Sequence, residues 1–423
     1  MRARWFLIAA LIAALTVGVS ACGDDDDDGG GGGGVVEGNT LTVYSSLPLQ
    51  GSGRPQTTAM VNGAKLALEE KGNKVGKFTI NYQSLDDSTA QAGKWDPGAT
   101  SANARKAAQD PKTIAYMGEF NSGATAISLP ILNEAGIPQV SPANTAVGLT
   151  TNEPGAEKGE PDKYYPTGKR TYARTPPRDT IQGAALATIM KEDGCTKVYI
   201  LNDKEVYGAG VAKNVETSAG EQGMEVLGNE GIDPKASNYR SLASKIKSAG
   251  ADCFFFGGVT QNNAVQVFKD VAAALPDAKL YGPDGVAEGA FASEEEGGIP
   301  ASVAANTKVT VATLSAEEYE KQNIDAKKFF DQYAAKYGDK SPDPYAIYGY
   351  ETMSLILDAI ERAGDEGNNR EKVLEAIFAT ENRKSVLGVY SIDDNGDTTL
   401  TDYGVYKIEG GELAFDKTVK AQQ

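Results

Sequence analysis

Histidine is absent from this sequence. Its absence removes the Ser-His-Asp and Cys-His hydrolase arrangements and the imidazole ligands of the usual zinc sites. Cysteine is scarce: the chain has three, and Cys22 stands apart from the other two near the amino terminus. Thiolate metal clusters are therefore excluded too, so no metal site and no cofactor are expected. Basic charge is in deficit, with 41 Lys and Arg against 58 Asp and Glu and a net charge of −17. That balance repels nucleic acid and anionic lipid, so neither is expected as a partner. Beyond the first twenty residues no long apolar run occurs. Catalysis is left with carboxylate or lysine chemistry, and binding becomes the better expectation.

The amino terminus carries Arg2 and Arg4 ahead of a nearly apolar stretch from Trp5 to Val19. A basic start, a short apolar core and small residues before a break describe a secretory signal. The stretch is shorter than the ~18 residues of a membrane-spanning helix. Val19-Ser20-Ala21-Cys22 resembles the lipobox of bacterial lipoproteins. The resemblance implies a signal peptide over residues 1–21 and lipidation of Cys22; an ordinary signal peptide cut nearby is the alternative. Five aspartates and six glycines follow. Like charges and glycine entropy leave nothing to bury, so residues 22–39 read as a disordered linker. Such a chain works on the outer face of the cytoplasmic membrane and touches it only through the lipid anchor.

From Thr40 onward short apolar strands alternate with amphipathic helices. "LTVYSSL", "KFTINYQSLDD", "TIAYMGEF" and "PQVSPA" read as strands, with the helical patterns "TTAMVNGAKLALEEKG", "ATSANARKAAQD" and "ISLPILNEAG" between them. This is the pattern of a parallel sheet wrapped by helices. After a polar, Pro/Gly-rich interval the alternation restarts at Thr180 and runs to about residue 309. Three helical patterns follow that neither sheet claims by order alone. The chain closes in a hairpin-like pair, "GVYSIDDNGDTTLTDYGVYKI", with Asn395-Gly396 as its turn. A chain of this length divides naturally into two lobes.

The stretches "LPLQGSG…MVNGAKLALEE", "YMGEFNSGATAISLPILNEAGIPQVSPANT", "RTYARTPPRDTIQG", "VYILNDKEVYGAGVA", "LYGPDG" and "DPYAIYGYETMSLILDAIERAG" resemble, in order and spacing, the type I periplasmic binding proteins of the Leu/Ile/Val receptor class. The resemblance runs from Leu41 to about Val419. It implies an α/β fold of two doubly wound parallel-sheet lobes joined by three hinge crossings, with ligand in the cleft. Residues 40–178 and 310–395 would form lobe 1, and residues 179–309 and 396–423 lobe 2.

Several residues are candidates for that cleft. Ser122 and Thr125 follow a strand in "GEFNSGAT" and can hold a carboxylate, though Ser122 also suits a helix N-cap. Ala143, through its backbone, and Thr145 match family positions at an amino-acid head group. Asp284 in "LYGPDG" matches the carboxylate that pairs with a ligand ammonium, and equally suits a Pro-Asp-Gly turn. The family's usual glutamate is shortened here to aspartate. An aromatic common in the lobe-2 cleft aligns with Val259, and no counterpart of the other cleft aromatic stands near Arg54. Asp203 and Tyr207 match a motif near the cleft rim, or serve a loop and helix cap. Gly51 and Gly53 either line the cleft or make a plain turn. "DDNGDTT" has its glycine at the fourth position and no glutamate at the twelfth, so it is not a calcium loop.

Cys195 and Cys253 each open a lobe-2 strand. In the strand order 2-1-3-4-5 these strands are neighbours, about 4.8 Å apart. That separation is within reach of a disulfide, and two buried thiols are the alternative. The family's own disulfide would join positions that are Thr89 and Asn121 here.

The leading functional expectation is a tethered receptor, not an enzyme, that closes on a small molecule and delivers it to an ABC permease. The ligand would be an amino acid, branched-chain or related. The alternative is a ligand-sensing module for a membrane signalling partner. A glycosidase-like reading rests on Glu119 or Asp87 acting with Asp284, which no spacing pairs.

Overall fold

Residues 34–421 are described by the structure, a computed structural model. The expected signal peptide and the expected lipidation site, Cys22, lie outside the described residues. The first sheet contains β1 (Thr40–Leu47), β2 (Lys74–Val75), β3 (Phe78–Asp86), β4 (Thr113–Gly118), β5 (Gln139–Ser141) and β6 (Tyr172–Arg174). Their order is β2-β3-β1-β4-β5-β6, parallel except at the short β2 edge. Helices α1 (Arg54–Glu70), α2 (Pro97–Gln109) and α3 (Ser122–Glu134) make the connections. β1 is buried at every position after the first, as a strand covered by helices on both faces requires.

Past β6 the chain enters a second sheet through α4 (Asp179–Glu192) and β7 (Lys197–Asn202). It continues through α5 (Val206–Glu221), β8 (Glu225–Gly231), α6 (Arg240–Ala249), β9 (Cys253–Gly257), α7 (Ala264–Ala274) and β10 (Lys279–Gly282). Two single-turn helices, α8 (Gly289–Ala292) and α9 (Ala301–Ala304), lead to β11 (Thr307–Val311). The strand β11 pairs with β10, so the second sheet runs past residue 309. Its strand was not evident in the sequence, where "TKVTV" follows a long irregular stretch.

The chain then returns to the first lobe. Helices α10 (Ala316–Gln322), α11 (Ile324–Tyr337), α12 (Ala346–Arg362) and α13 (Arg370–Phe378) precede the short pair β12 (Arg383–Ser385) and β13 (Gly388–Tyr390). Leu355, Ile356 and Ile360 of α12 bury in one cluster with Leu41, Val43 and Ile114 of the first sheet. Packing with α1 is backbone against backbone. A Cβ on Gly63 would stand 2.3 Å from the Ala346 carbonyl oxygen, and one on Gly349 would stand 2.1 Å from that of Met60. Only glycine allows this approach. The Tyr337 hydroxyl of α11 donates to the Asn62 carbonyl of α1 at 3.0 Å. With Val373 and Ile377 of α13 buried in the same cluster, these contacts assign the three helical patterns left open by their order.

A third passage leads to β14 (Asp402–Glu409) and β15 (Glu412–Lys420). They complete the second sheet in the order β15-β14-β11-β10-β9-β7-β8. Two expectations are corrected here. The closing hairpin is β14–β15, turning at Gly410–Gly411, because Tyr403, Val405 and Ile408 carry the apolar surface that buries. Around Asn395-Gly396 there is a reversal with one bridge, Ile392 to Thr398. The linker, expected unstructured to Asn39, is seated at its end. Val35 bridges Asn369, and Val36, 1% exposed, buries in the first lobe. Val36 has apolar surface to bury, while Val35 stays exposed and is held by its bridge.

The second lobe is cross-linked. Cys195 and Cys253 form a disulfide with their Cα atoms 5.8 Å apart, and β7 and β9 are adjacent with Val198 opposite Cys253.

Candidate functional site

The carboxyl ends of both parallel sheets face one cleft, where doubly wound sheets collect their ligand-binding loops. Ser122, Ala143, Thr145, Tyr207, Val259 and Asp284 all line a single cavity there. Ser122 and Tyr207 stand in the first turns of α3 and α5, after β4 and β7, Ala143 and Thr145 lie in the loop after β5, and Val259 and Asp284 follow β9 and β10. Phe120, Asn121, Gly285 and Tyr345 complete the wall.

Ser122 is not the N-cap of α3. Asn121 holds that position, and the Ser122 hydroxyl accepts from the Ala146 N–H at 3.4 Å. Thr125 faces elsewhere: its hydroxyl donates to Asn144 and accepts from the Glu119 N–H. The Ser141 hydroxyl ties the β5 loop together by accepting from the Ala143 and Asn144 N–H groups and donating to the Glu119 carbonyl. Buried backbone polar groups are thus satisfied by side chains where the strand ends.

Asp284 lies 9% exposed in the turn after β10. It begins that turn, and its carboxylate also points into the cavity, so the two readings of this residue are compatible. Oδ1 accepts from Tyr207 Oη at 2.6 Å and Gln182 Nε2 at 2.7 Å; Oδ2 accepts from Tyr345 Oη at 2.5 Å. Burial raises its pKa, and these three donors oppose the rise. Asp179 at the start of α4 is fully buried with neither carboxylate oxygen hydrogen-bonded. Burial first, and then the charge of Asp284, push it well above the ordinary carboxylate range. The hydrogen-bond partners of Asp284 among the described residues are all neutral, so no cation is bonded to its carboxyl.

A second chamber adjoins the first, sharing Phe120, Asn121 and Val259 with it. Pro48 and Trp95 add apolar walls. The aromatic lining missing at Val259 and near Arg54 is thus supplied from other loops by Trp95, Phe120 and Tyr345, with Phe120 and Tyr345 rings edge-on at 6.1 Å. Nothing in their sequence neighbourhoods marks these three, because each comes from a different loop. Asp179 was legible only as part of the quoted "RDTIQG".

The remaining candidates divide. Gly53 faces Gln261 of the other lobe, while Gly51 turns the loop against Gly93. Asp203 serves the rim: its carboxylate accepts from the Glu205 and Val259 N–H groups and from Asn262 Nδ2. In "DDNGDTT", Asp397 is an ion-pair partner of Arg174 and Arg178. Glu119 and Asp87 bury together under the first lobe's loops, and neither has a bond to Asp284.

Two doubly wound lobes with polar groups converging from both into the gap define a solute-binding receptor. Residues 42–412 match the periplasmic binding protein family, and the chain belongs to it. Members of that family are extracytoplasmic solute-binding receptors rather than enzymes. The chain is 25% identical over 416 residues to the Leu/Ile/Val-binding protein homolog 1 of Brucella suis, covering 97% of each. It is 27% identical over 349 residues to a leucine-, isoleucine-, valine-, threonine- and alanine-binding protein of Pseudomonas aeruginosa, covering 82% of this chain and 83% of that one. Its fold superposes on a leucine-binding protein of Thermotoga maritima with a TM-score of 0.76 at 23% identity, over 90% of this chain and 99% of that one. Among the described residues no helix is long and apolar enough to cross a membrane.

Proposed function

We propose that this protein is the receptor of an ABC importer, held outside the cytoplasmic membrane by lipid on Cys22, and that it closes on a small α-amino acid. The observation that carries the ligand class is the convergence of Ser122, Ala143, Thr145 and Asp284 on one cavity. The Ser122 and Thr145 hydroxyls, beside the α3 N-terminus, suit a ligand carboxylate. Asp284 and the Ala143 carbonyl suit its ammonium, and a charge-assisted bond in a buried site is strong. Tyr207 positions Asp284. Val259, with Phe120, Trp95 and Pro48, offers an apolar surface for the ligand side chain, in keeping with relatives named as Leu/Ile/Val-binding proteins.

Thermal-shift titration of the purified protein with leucine, isoleucine, valine, threonine and alanine tests this reading. A ligand at 100 times its Kd stabilises by about 2.7 kcal/mol. No shift with any of the five, alongside a shift with an aromatic acid, would overturn the amino-acid assignment. Membrane tethering is tested separately: Cys22→Ser should move the protein from the membrane fraction to the medium.

A further inference from the structure

The two lobes are bonded to each other across the cleft at several points, through Ser52 to Glu288 and Gln261 and through Gln56 to Ala287, and one cluster of these bonds centres on a single carboxylate. Glu205 precedes α5 in the second lobe. Its Oε1 accepts from Lys94 Nζ at 2.5 Å, and its Oε2 accepts from the Trp95 indole Nε1 at 3.2 Å, both from the first lobe. Lys94 also donates to Asn262 Oδ1 at 2.7 Å, and Asn262 Nδ2 donates to Glu205 Oε1 at 3.0 Å. The ion pair is only partly solvated, with side chains 30% and 23% exposed.

The loop that presents Lys94 and Trp95 is braced. Ser88 bridges Trp95, the Thr89 N–H donates to the Lys94 carbonyl, and Asp96 caps α2 through the Gly98 and Ala99 N–H groups. The indole lies over Gly123, next to Ser122. A Cβ on Gly123 would stand 2.9 Å from the Trp95 ring. A glycine is therefore needed for the indole to reach Glu205 from this side.

We propose that Lys94 and Trp95 form a two-pronged latch on Glu205 that holds the lobes shut and sets how long a ligand stays. The inference rests on the cleft being the ligand site. The three bonds from Lys94 and Trp95 join residues of opposite lobes, so separating the lobes breaks them together, while Asn262 braces Glu205 from within the second lobe. A carboxylate shared between an ammonium and an indole N–H is charge-assisted on one side and directional on the other. Such contacts, formed only on closure, slow dissociation and leave the encounter step unchanged.

The sequence has two tryptophans, Trp5 and Trp95, so the full chain carrying Trp5→Phe reports Trp95 alone. With L-leucine as the probe, Glu205→Gln should raise the dissociation rate about tenfold in stopped-flow fluorescence, with the association rate within twofold. Acrylamide quenching of Trp95 should rise at least threefold. Gly123→Ala leaves both charges in place and should give the same changes by displacing the indole. Wild-type quenching and dissociation in both variants would overturn the latch, as would equal losses in both rate constants. If L-leucine does not bind the wild type, that ligand assignment fails. Quenching in the unliganded chain then decides the latch alone: a threefold rise in Glu205→Gln supports it, and no change overturns it.

Discussion

Arg174 and Asp397 are joined by a hydrogen-bonded ion pair, Nε to Oδ1 at 2.6 Å, with the arginine side chain wholly buried. Arg174 ends β6, just before the first passage between lobes, and Asp397 lies in the third. Asp397 Oδ2 also accepts from Arg178 Nη1 at 2.9 Å and from the Thr150 hydroxyl at 3.0 Å. Two crossing segments are therefore tied to each other at the base of the cleft.

Asp397→Asn should destabilise the fold by about 3–5 kcal/mol, the usual result of leaving a buried charge without its partner. Urea unfolding at neutral pH measures this. Burial works to raise the Asp397 pKa, but Arg174 and Arg178 hold it below the ordinary range. A depressed carboxylate contributes stability that is present above its unfolded pKa and lost as pH falls through its folded one. The variant should lose the part of the wild type's acid sensitivity that arises below about pH 4.

Asp284→Asn should weaken amino-acid binding at least tenfold, or about 1.4 kcal/mol, with the unfolding midpoint close to that of the wild type. The change removes the ligand's countercharge and keeps a side chain of the same shape among Tyr207, Tyr345 and Gln182. Calorimetry decides it, and unaltered affinity would leave Asp284 with its turn alone.

Glu119→Gln should flatten the pH dependence of stability. Glu119 and Asp87 are both 0% exposed, and both are pushed above the ordinary carboxylate range, by burial first. The charges around Asp87 are Glu119 and Asp86; around Glu119 stand Ser46, Tyr116, Asp87 and Ser128, none of them a cation. With raised folded pKa values the native state binds more protons than the unfolded chain, so stability falls as pH rises above about 4.3. Denaturant midpoints between pH 5 and 8 should fall less steeply in the variant.

Replacing Cys195 and Cys253 by serine should cost about 4 kcal/mol, as expected for a cross-link spanning 58 residues. Thiol titration of the denatured, unreduced Cys22→Ser chain should find no free thiol. Two would show that the bridge does not form.

The sequence by itself determined the layered architecture. Its alternation of apolar strands and amphipathic helices reflects local periodicity, which each segment carries alone. It also determined the candidates at strand ends, from Ser122 to Asp284, because loop chemistry at the carboxyl ends of strands is readable residue by residue. Cys195 and Cys253 were pairable because one stands just before, and the other at, the start of strands whose order the fold class sets. What tertiary structure decided are the relationships between distant loops. Trp95, Phe120 and Tyr345 meet at the cleft from three separate segments, and each alone reads as ordinary core. The Lys94–Glu205 and Arg174–Asp397 pairs join residues 111 and 223 positions apart. The charge pattern along the sequence does not encode such partners, since any of the 58 acids offers the same carboxylate. The place of α12 was decided the same way, by Gly63 and Gly349 letting two helix backbones touch.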